Sequence, residues 1–338
     1  MSSLGPKMRE AVLHNPSGYS PEEVCQILAL DGNVVVGTIN PFSGRLKFNE
    51  ETVPVQNGSH LFAHEDYRKD NVGGELFLKL TNLHPTKNNF YSGISNMALP
   101  IYRALKYTIF EFPRLIYLRK SRSVVQALMH SEGIWTMPLI WIADTCLWLH
   151  RSAMKAITLI RLGGYKIEEA KETPQEVENI AMSDGHPFME LHDKAWFDWN
   201  LNYSFSEDER TKRKLFMIRH NGITEGFFLI KQEYFEQASS RGFKNVYLGS
   251  LMEWGLKKQS VLKEKDIVLL SLYCFDKNID GIQYASTEKK TIKQLKRHLF
   301  VQVGNANLGF KLRTFKDPTI KDINNWRIRL AGGDTLLD

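Results

Sequence analysis

The sequence predicts two α/β domains of the α+β type, each a mixed sheet flanked by helices, joined by a helical connector. Three observations carry that expectation. At 338 residues the chain has room for two domains of about 100–200 residues each. Its first half reads as strand, strand, strand, helix, strand, helix, strand, an order that builds a sheet with helices packed on it. Its second half repeats parts of that order, the mark of an internal duplication.

Each element follows from local pattern. CQILALDGNVVVGTIN sets two β-branched runs on either side of Asp31-Gly32-Asn33, tight-turn chemistry for a hairpin. A further strand is expected from about Thr52 to Ala63. GGELFLKLTNLH then places Leu76, Leu80 and Leu83 at helical spacing, with Glu75 in the first turn. After the polar loop HPTKNN come a short strand, FYSGI, a helix, NMALPIYRAL, and a strand, TIFEFPRLIYL.

From about Arg119 to Tyr165, basic residues alternate with apolar helical stretches, and Gly163-Gly164 closes the segment. Its apolar run, IWTMPLIWIADTCLWL, is shorter than the roughly 20 residues of a membrane span. Pro138 and Asp144 also interrupt it. The run is expected to lie buried between domains, with a peripheral membrane or partner face as the alternative. In the second half, KLFMIRHNGITEGFFLIK repeats the hairpin and YASTEKKTIKQLKRHLFVQVGNANLGFKLR repeats the strand–helix–strand order. SSRGFKNVYLGSLMEW reads as a glycine-bearing stretch that opens a helix. The expected partition is a first domain over 1–120, a connector over 121–172 and a second domain over 173–338.

Composition narrows the function. Apolar residues at 43% and charged residues at 24% exclude disorder and collagen-like structure. Lys plus Arg exceed Asp plus Glu by 44 to 38, a net charge of +6. That small excess suits an anionic small molecule such as a phosphate, and no nucleic-acid partner is expected. Cys25, Cys146 and Cys274 show no CxxC spacing and read as thiols of a reducing compartment. Residues 1–20 hold no apolar core of a secretory signal, so the expected location is cytoplasmic. Asp184, His186, Glu190, His192 and Asp193 crowd one stretch, but their spacing fits no standard metal site. They read as a polar turn before an amphipathic helix, with no metal. The basic stretches ERTKRK and KKTIKQLKR read as solvated faces, the second suited to steering an anion.

The stretch with most chemistry is LFAHEDYRKDNVGGEL, residues 61–76. A strand ends, a turn carries Arg68 and Lys69, and Gly73-Gly74 opens a helix. Unpaired amides at a helix N-terminus, with the helix dipole behind them, cradle an anion. Glycine admits a phosphate close to the backbone, while an ordinary charged strand-to-helix loop is the plain alternative.

This stretch resembles the acyl-CoA signature of the GNAT acyltransferase superfamily, Arg/Gln-x-x-Gly-x-Gly/Ala after an aromatic residue and before a leucine-bearing helix. Tyr67 stands as the aromatic, Arg68 as the first signature residue, Gly73 as the last and Leu76 as the helix leucine. Asn71 replaces the middle glycine, and Asn is the residue that best tolerates a left-handed backbone in its place. Glu65 replaces the usual upstream proline. A second signature, Asn-x-x-Ala-x-x-x-Tyr-x-x-x-Gly-Phe, is similar to Ser95, Ala98, Tyr102, Lys106 and Tyr107, with Asn96 one residue late. Together the two signatures cover residues 25–118.

The resemblance implies two GNAT-like domains with mostly antiparallel sheets, only the first with a donor site, and a tandem arrangement. It implies an N-acetyltransferase moving acetyl from acetyl-CoA to a primary amine of a small molecule or amino sugar, with a protein lysine as the next acceptor. The donor would lie on the amides of Lys69, Asp70, Asn71, Val72, Gly73 and Gly74, with Arg68 beside them and Ser95 and Asn96 near. An amide of Phe62 or Ala63 would hold the oxyanion. Tyr102 is the implied general acid, against a plain packing role. His60 is the favoured base, ahead of Glu51 and His64. The second half lacks the cradle and any counterpart of Tyr102. Only about 20 residues precede Cys25, fewer than the strand and two helices that open this fold, so the acceptor wall is either trimmed or supplied by the second half. An aminoacyl transferase using aminoacyl-tRNA, and a non-catalytic GNAT-like binding protein, are the alternatives.

Overall fold

The computed structural model describes residues 5–18, 23–129, 133–237 and 244–331. The chain opens with α1 (Pro6–Leu13), then β1 (Ile27–Asp31), β2 (Val34–Phe48), β3 (Glu51–Ala63), α2 (Val72–Thr81), β4 (Asn89–Ser92), α3 (Leu99–Ala104) and β5 (Thr108–Leu118). It continues through α4 (Arg122–Met129), α5 (Met137–Leu162), β6 (Tyr165–Ala170), α6 (Gln175–Met182), β7 (Phe188–Glu190) and α7 (Lys194–Asn202). The last part holds β8 (Lys212–His220), β9 (Ile223–Gln237), β10 (Lys244–Leu256), α8 (Glu264–Ser271), β11 (Gly281–Ala285), α9 (Lys289–Lys296), β12 (Phe300–Lys311) and β13 (Trp326–Arg327).

These elements form two compact units. The first takes the chain up to 112 with 184–207 and the part from 305 onward; the second takes 113–183 and 208–304. The boundaries differ from the linear partition 1–120, 121–172, 173–338. Long-range strand pairing, which sequence position does not reveal, draws the 184–207 segment and the C-terminal part to the N-terminal unit.

In the first unit the strand order is β13-β7-β2-β3-β4-β12, with β1 paired to β2. The β1–β2 turn is Gly32-Asn33, since Asp31 already pairs with Val34. Asn49, at φ +52, makes the β2–β3 turn. β2 and β3 are antiparallel, β3 and β4 parallel, and residues 308–311 of β12 pair antiparallel with β4. α2 buries Leu76, Phe77 and Leu80 on this sheet. The approach is close enough that a Cβ on Gly58 would lie 2.3 Å from Leu80 Cδ2. Only α1 precedes β1 among the described residues. β7 pairs along β2, and Trp199 Nε1 of α7 donates to the Ala11 carbonyl at 2.7 Å. Mid-chain elements thus pack as part of the first unit.

In the second unit the order is β5-β11-β10-β9-β8-β6, with residues 114–118 of β5 antiparallel to β11. Asn221-Gly222, both at positive φ, turn β8 into β9 as the hairpin pattern predicts. Its core gathers Phe228, Ile230, Ile267, Ile282 and Leu295. The order β8, β9, β10, α8, β11, α9, β12 matches β1, β2, β3, α2, β4, α3, β5.

Two expectations fail here. Residues 244–256 do not open a helix: they form β10, paired with β9 from Lys244 to Leu256. Gly249 of that stretch sits within the strand, where a Cβ would meet the Phe275 ring at 2.5 Å. Residues 238–243 of that stretch lie outside the described residues. The apolar run is not buried either. In α5 only Ile140, Met154, Thr158 and Leu162 are buried, while Trp135, Trp141 and Trp148 are 88%, 72% and 55% exposed. A helix apolar all round must leave a face outside when only one side is packed.

Candidate active site

The site begins where β3 and β4 part. They share one register pair, Gln56 with Asn89, and the Gln56 amide donates to the Asn88 carbonyl at 2.8 Å. No later residue of β4 pairs with β3 among the described residues. Further along, β3 carries a bulge against β2. Between the pairs Asn40–Ser59 and Thr38–Phe62, His60 and Leu61 stand opposite the single residue Ile39. His60 takes φ +52. Such a bulge bends its strand and locally disrupts the ladder, which resumes at Phe62. The parallel pairing also brings the C-terminal ends of β3 and β4 to the same edge of the sheet.

The chain leaves β3 directly into the expected cradle. The His64 amide donates to the Val36 carbonyl at 2.8 Å, and residues Glu65–Tyr67 make one 3₁₀ turn. Tyr67 anchors that turn by donating its hydroxyl to Asp31 at 2.6 Å. Asn71 adopts φ 59, ψ 23, and α2 starts at the next residue. The left-handed conformation expected of Asn71 is therefore present. The cradle is narrower than expected, because the amides of Asp70 and Asn71 donate to the carbonyls of Tyr67 and Arg68 at 3.2 and 3.3 Å. In the first turn of α2, the amides of Val72, Gly73 and Gly74 precede the first helical donor, Glu75. Among the described residues none of these three amides makes a hydrogen bond. Arg68 and Lys69 are exposed beside them, and Arg68 Nε reaches the Ala63 carbonyl at 3.4 Å. At the matching helix of the second unit, the Lys263 amide before α8 donates to the Asp266 carboxylate at 2.9 Å, which places a negative charge at that terminus.

The other expected residues separate by place. Phe62 is exposed and Ala63 half-buried at the end of β3, paired with Thr38 and Gly37. His60 sits in the bulge, its Nδ1 3.0 Å from Ser59 Oγ. Glu51 begins β3, and twelve residues at about 3.3 Å each put it roughly 40 Å from Ala63. It is too far to act there as a base. His64 is exposed and accepts from the Asp66 amide at 3.4 Å. Ser95 Oγ accepts from the Ala98 amide at 3.3 Å before α3, and Asn96 Oδ1 accepts from Asn307 at 3.1 Å.

Tyr102 lies on α3 with its ring 4.7 Å from Phe77, 5.4 Å from Tyr91 and 5.2 Å from Tyr107. It is 9% exposed. Burial raises the hydroxyls of Tyr91 and Tyr107 above their ordinary range. Lys106 takes φ +58, so it adopts the conformation of the glycine it replaces in the signature.

Sequence reading missed a polar layer beside the bulge. Gln26 Nε2 lies 3.3 Å from both Thr38 Oγ1 and Asn40 Oδ1. Asn57 is fully buried, and neither end of its amide finds a partner among the described residues. The signal was present as polar residues at alternate positions of otherwise apolar strands. The acidic and histidine stretch has other partners. Asp184 meets His186 at 2.5 Å and Arg327 at 3.5 Å. Burial raises Asp184, but the His186 hydrogen bond and the arginine charges outweigh it and hold the carboxyl well below its usual range. Asp193 pairs with Arg45 at 2.8 Å and caps α7 through the Trp196 amide.

No protein-family model and no curated protein sequence matches the chain. Solved structures do. A Saccharomyces cerevisiae N-myristoyltransferase with bound myristoyl-CoA and inhibitors superposes with a TM-score of 0.59 at 12% identity, over 90% of this chain and 71% of that one. A second structure of that enzyme with bound myristoyl-CoA gives 0.58 at 11%, over 90% and 69%. The chain has a GNAT-like fold. A GCN5-related N-acetyltransferase from Anabaena variabilis ATCC 29413 is similar at a TM-score of 0.47 and 9% identity, over 85% of this chain and 62% of that one.

Proposed function

We propose that the protein is an acyl-CoA-dependent N-acyltransferase whose donor site lies in the first unit. The observation that supports it best is the parting of β3 and β4 after the Gln56–Asn89 pair, on the strand that leads into three open amides at the α2 N-terminus. A thioester arm that pairs with backbone needs the first feature, and its pyrophosphate needs the second. That a structurally similar enzyme was solved with myristoyl-CoA supports a CoA thioester as donor. Acetyl-CoA is the proposed donor, and a long-chain acyl-CoA is the competing one. The proposed acceptor is a primary amine of a small molecule or amino sugar.

In this reading Val72, Gly73 and Gly74 bind the pyrophosphate with Arg68 and Lys69 alongside. An amide at Phe62 or Ala63 stabilises the oxyanion as the amine nitrogen bonds to the thioester carbon. His60 takes the proton from the attacking amine, the carbon–sulfur bond breaks, and Tyr102 protonates the departing thiolate. The two matched halves are proposed as diverged copies of one domain, the second without a donor site. The chain is proposed to work in the cytoplasm.

Calorimetry with CoA, acetyl-CoA and myristoyl-CoA tests the donor. Saturable binding that Arg68→Ala with Gly73→Asp abolishes, in a protein that keeps its melting temperature, is the expected result. Absence of binding to all three removes the proposal. A binding protein without turnover is the second reading, favoured by the burial of Tyr102 among aromatic rings. Donor binding with neither hydrolysis nor transfer to any amine selects it.

A further inference from the structure

The long helix α5 presents the wrong face to solvent for an ordinary surface helix. At about 100° per residue, Ile140, Leu147, Met154 and Thr158 define its inward side, where it is buried or half-buried. The opposite side carries Ile142, Leu149 and Ile160, which are 55%, 56% and 87% exposed, and Trp141 and Trp148 flank them. The charged residues of the helix, Asp144, Arg151, Lys155 and Arg161, all fall within about 60° of the inward direction. A soluble helix reverses this arrangement. An exposed apolar stripe of this extent marks an interaction surface.

Charge identifies what covers it. Lys155 and, at the other end, Arg122 are exposed. Just past α9, His298 Nδ1 lies 3.3 Å from Met154 Sδ on the inward side of α5. α9 exposes Lys289, Lys290, Lys293, Lys296 and Arg297 against a single acid, Glu288. Nearby, Arg161 and Lys265 both pair with Asp266. In a two-fold dimer about α5 the same basic border would stand near its own copy. An anionic bilayer is the partner whose charge complements these cations while its apolar interior takes the stripe.

We propose that α5 and the basic face of α9 dock the protein on the surface of an anionic lipid bilayer. Tryptophans at the flank of the stripe suit the headgroup boundary. No helix among the described residues is long and apolar enough to cross a membrane, so the stripe lies in the interface.

The test is co-sedimentation of the full chain with vesicles of phosphatidylcholine alone and with 30% phosphatidylserine added. Binding is expected to the second, to weaken when salt rises, and to be accompanied by a blue shift of tryptophan emission. Trp141→Ser with Leu149→Ser should abolish binding and the shift, and both residues are exposed, so folding is retained. Lys289→Gln, Lys290→Gln and Lys293→Gln together should weaken binding to the serine-containing vesicles by tenfold or more, on the order expected for three juxtamembrane cations. Failure of the wild type to bind either vesicle overturns the proposal. A dimer in sedimentation equilibrium that Leu149→Ser dissociates also overturns it, by assigning the stripe to a second copy.

Discussion

The side chain of Asn71 lies over Gly74, so that a Cβ on Gly74 would stand 2.4 Å from Asn71 Oδ1. The two residues are coupled: the left-handed Asn71 shapes the loop, and Gly74 leaves room for its amide.

Gly74→Ala is expected to displace Asn71 and weaken acetyl-CoA binding, with a small change in melting temperature. Asn71→Gly should leave the loop intact, because glycine adopts the same φ freely. The double variant should then bind more tightly than Gly74→Ala alone, a coupling read from a double-mutant cycle by calorimetry. Additive losses would show that the two positions act independently.

Lys106 sits at φ +58 at the end of α3, where the Tyr107 amide donates to the Tyr102 carbonyl at 3.0 Å. A non-glycine residue there costs about 1–2 kcal/mol, while glycine adds unfolded-state entropy. Lys106→Gly should therefore stabilise the protein by about 0.5–1 kcal/mol. Urea denaturation measures it, and destabilisation would mean that the Lys106 side chain contributes more than its backbone strain costs.

Tyr102→Phe separates chemistry from packing. The ring contacts with Phe77, Tyr91 and Tyr107 survive, so donor affinity should hardly change. Turnover should fall by about 10²–10⁴ if the hydroxyl protonates the thiolate. Slow hydrolysis of acetyl-CoA serves as the assay before an acceptor is known. Unchanged hydrolysis would assign Tyr102 to the core alone.

Burial lowers His84, His150 and His298 below the ordinary range of a histidine, about 6.5. At each of these sites the unfolded chain binds protons more readily than the folded one. Stability should therefore be fully present above about pH 6.5 and fall as the pH drops below it. His84 Nδ1 accepts from the Thr86 amide at 3.2 Å, a bond that protonation removes. Thermal melts from pH 7.5 to 5 should show the decline, and His84→Gln should flatten part of it. A melting temperature indifferent to pH in this range would contradict the assignment.

The sequence by itself determined the hairpins, the order of strands and helices from β1 to β5, and the left-handed backbone at Asn71, because local periodicity and turn chemistry act over a few residues. Gly32-Asn33 and Asn221-Gly222 turn where their composition says they must. The tertiary structure alone decided the rest. The bulge at His60 depends on register with β2, the narrowing of the cradle on hydrogen bonds within its own turn, and the burial of Tyr102 on three rings from other elements. The membership of β7 and β13 in the first unit depends on pairing partners more than a hundred residues away. Such pairings are chosen by the burial of whole faces, and no local window of sequence carries that choice. The outward apolar face of α5 shows the same limit: the run 134–149 is legible as apolar, but which side is packed is decided by the elements it meets.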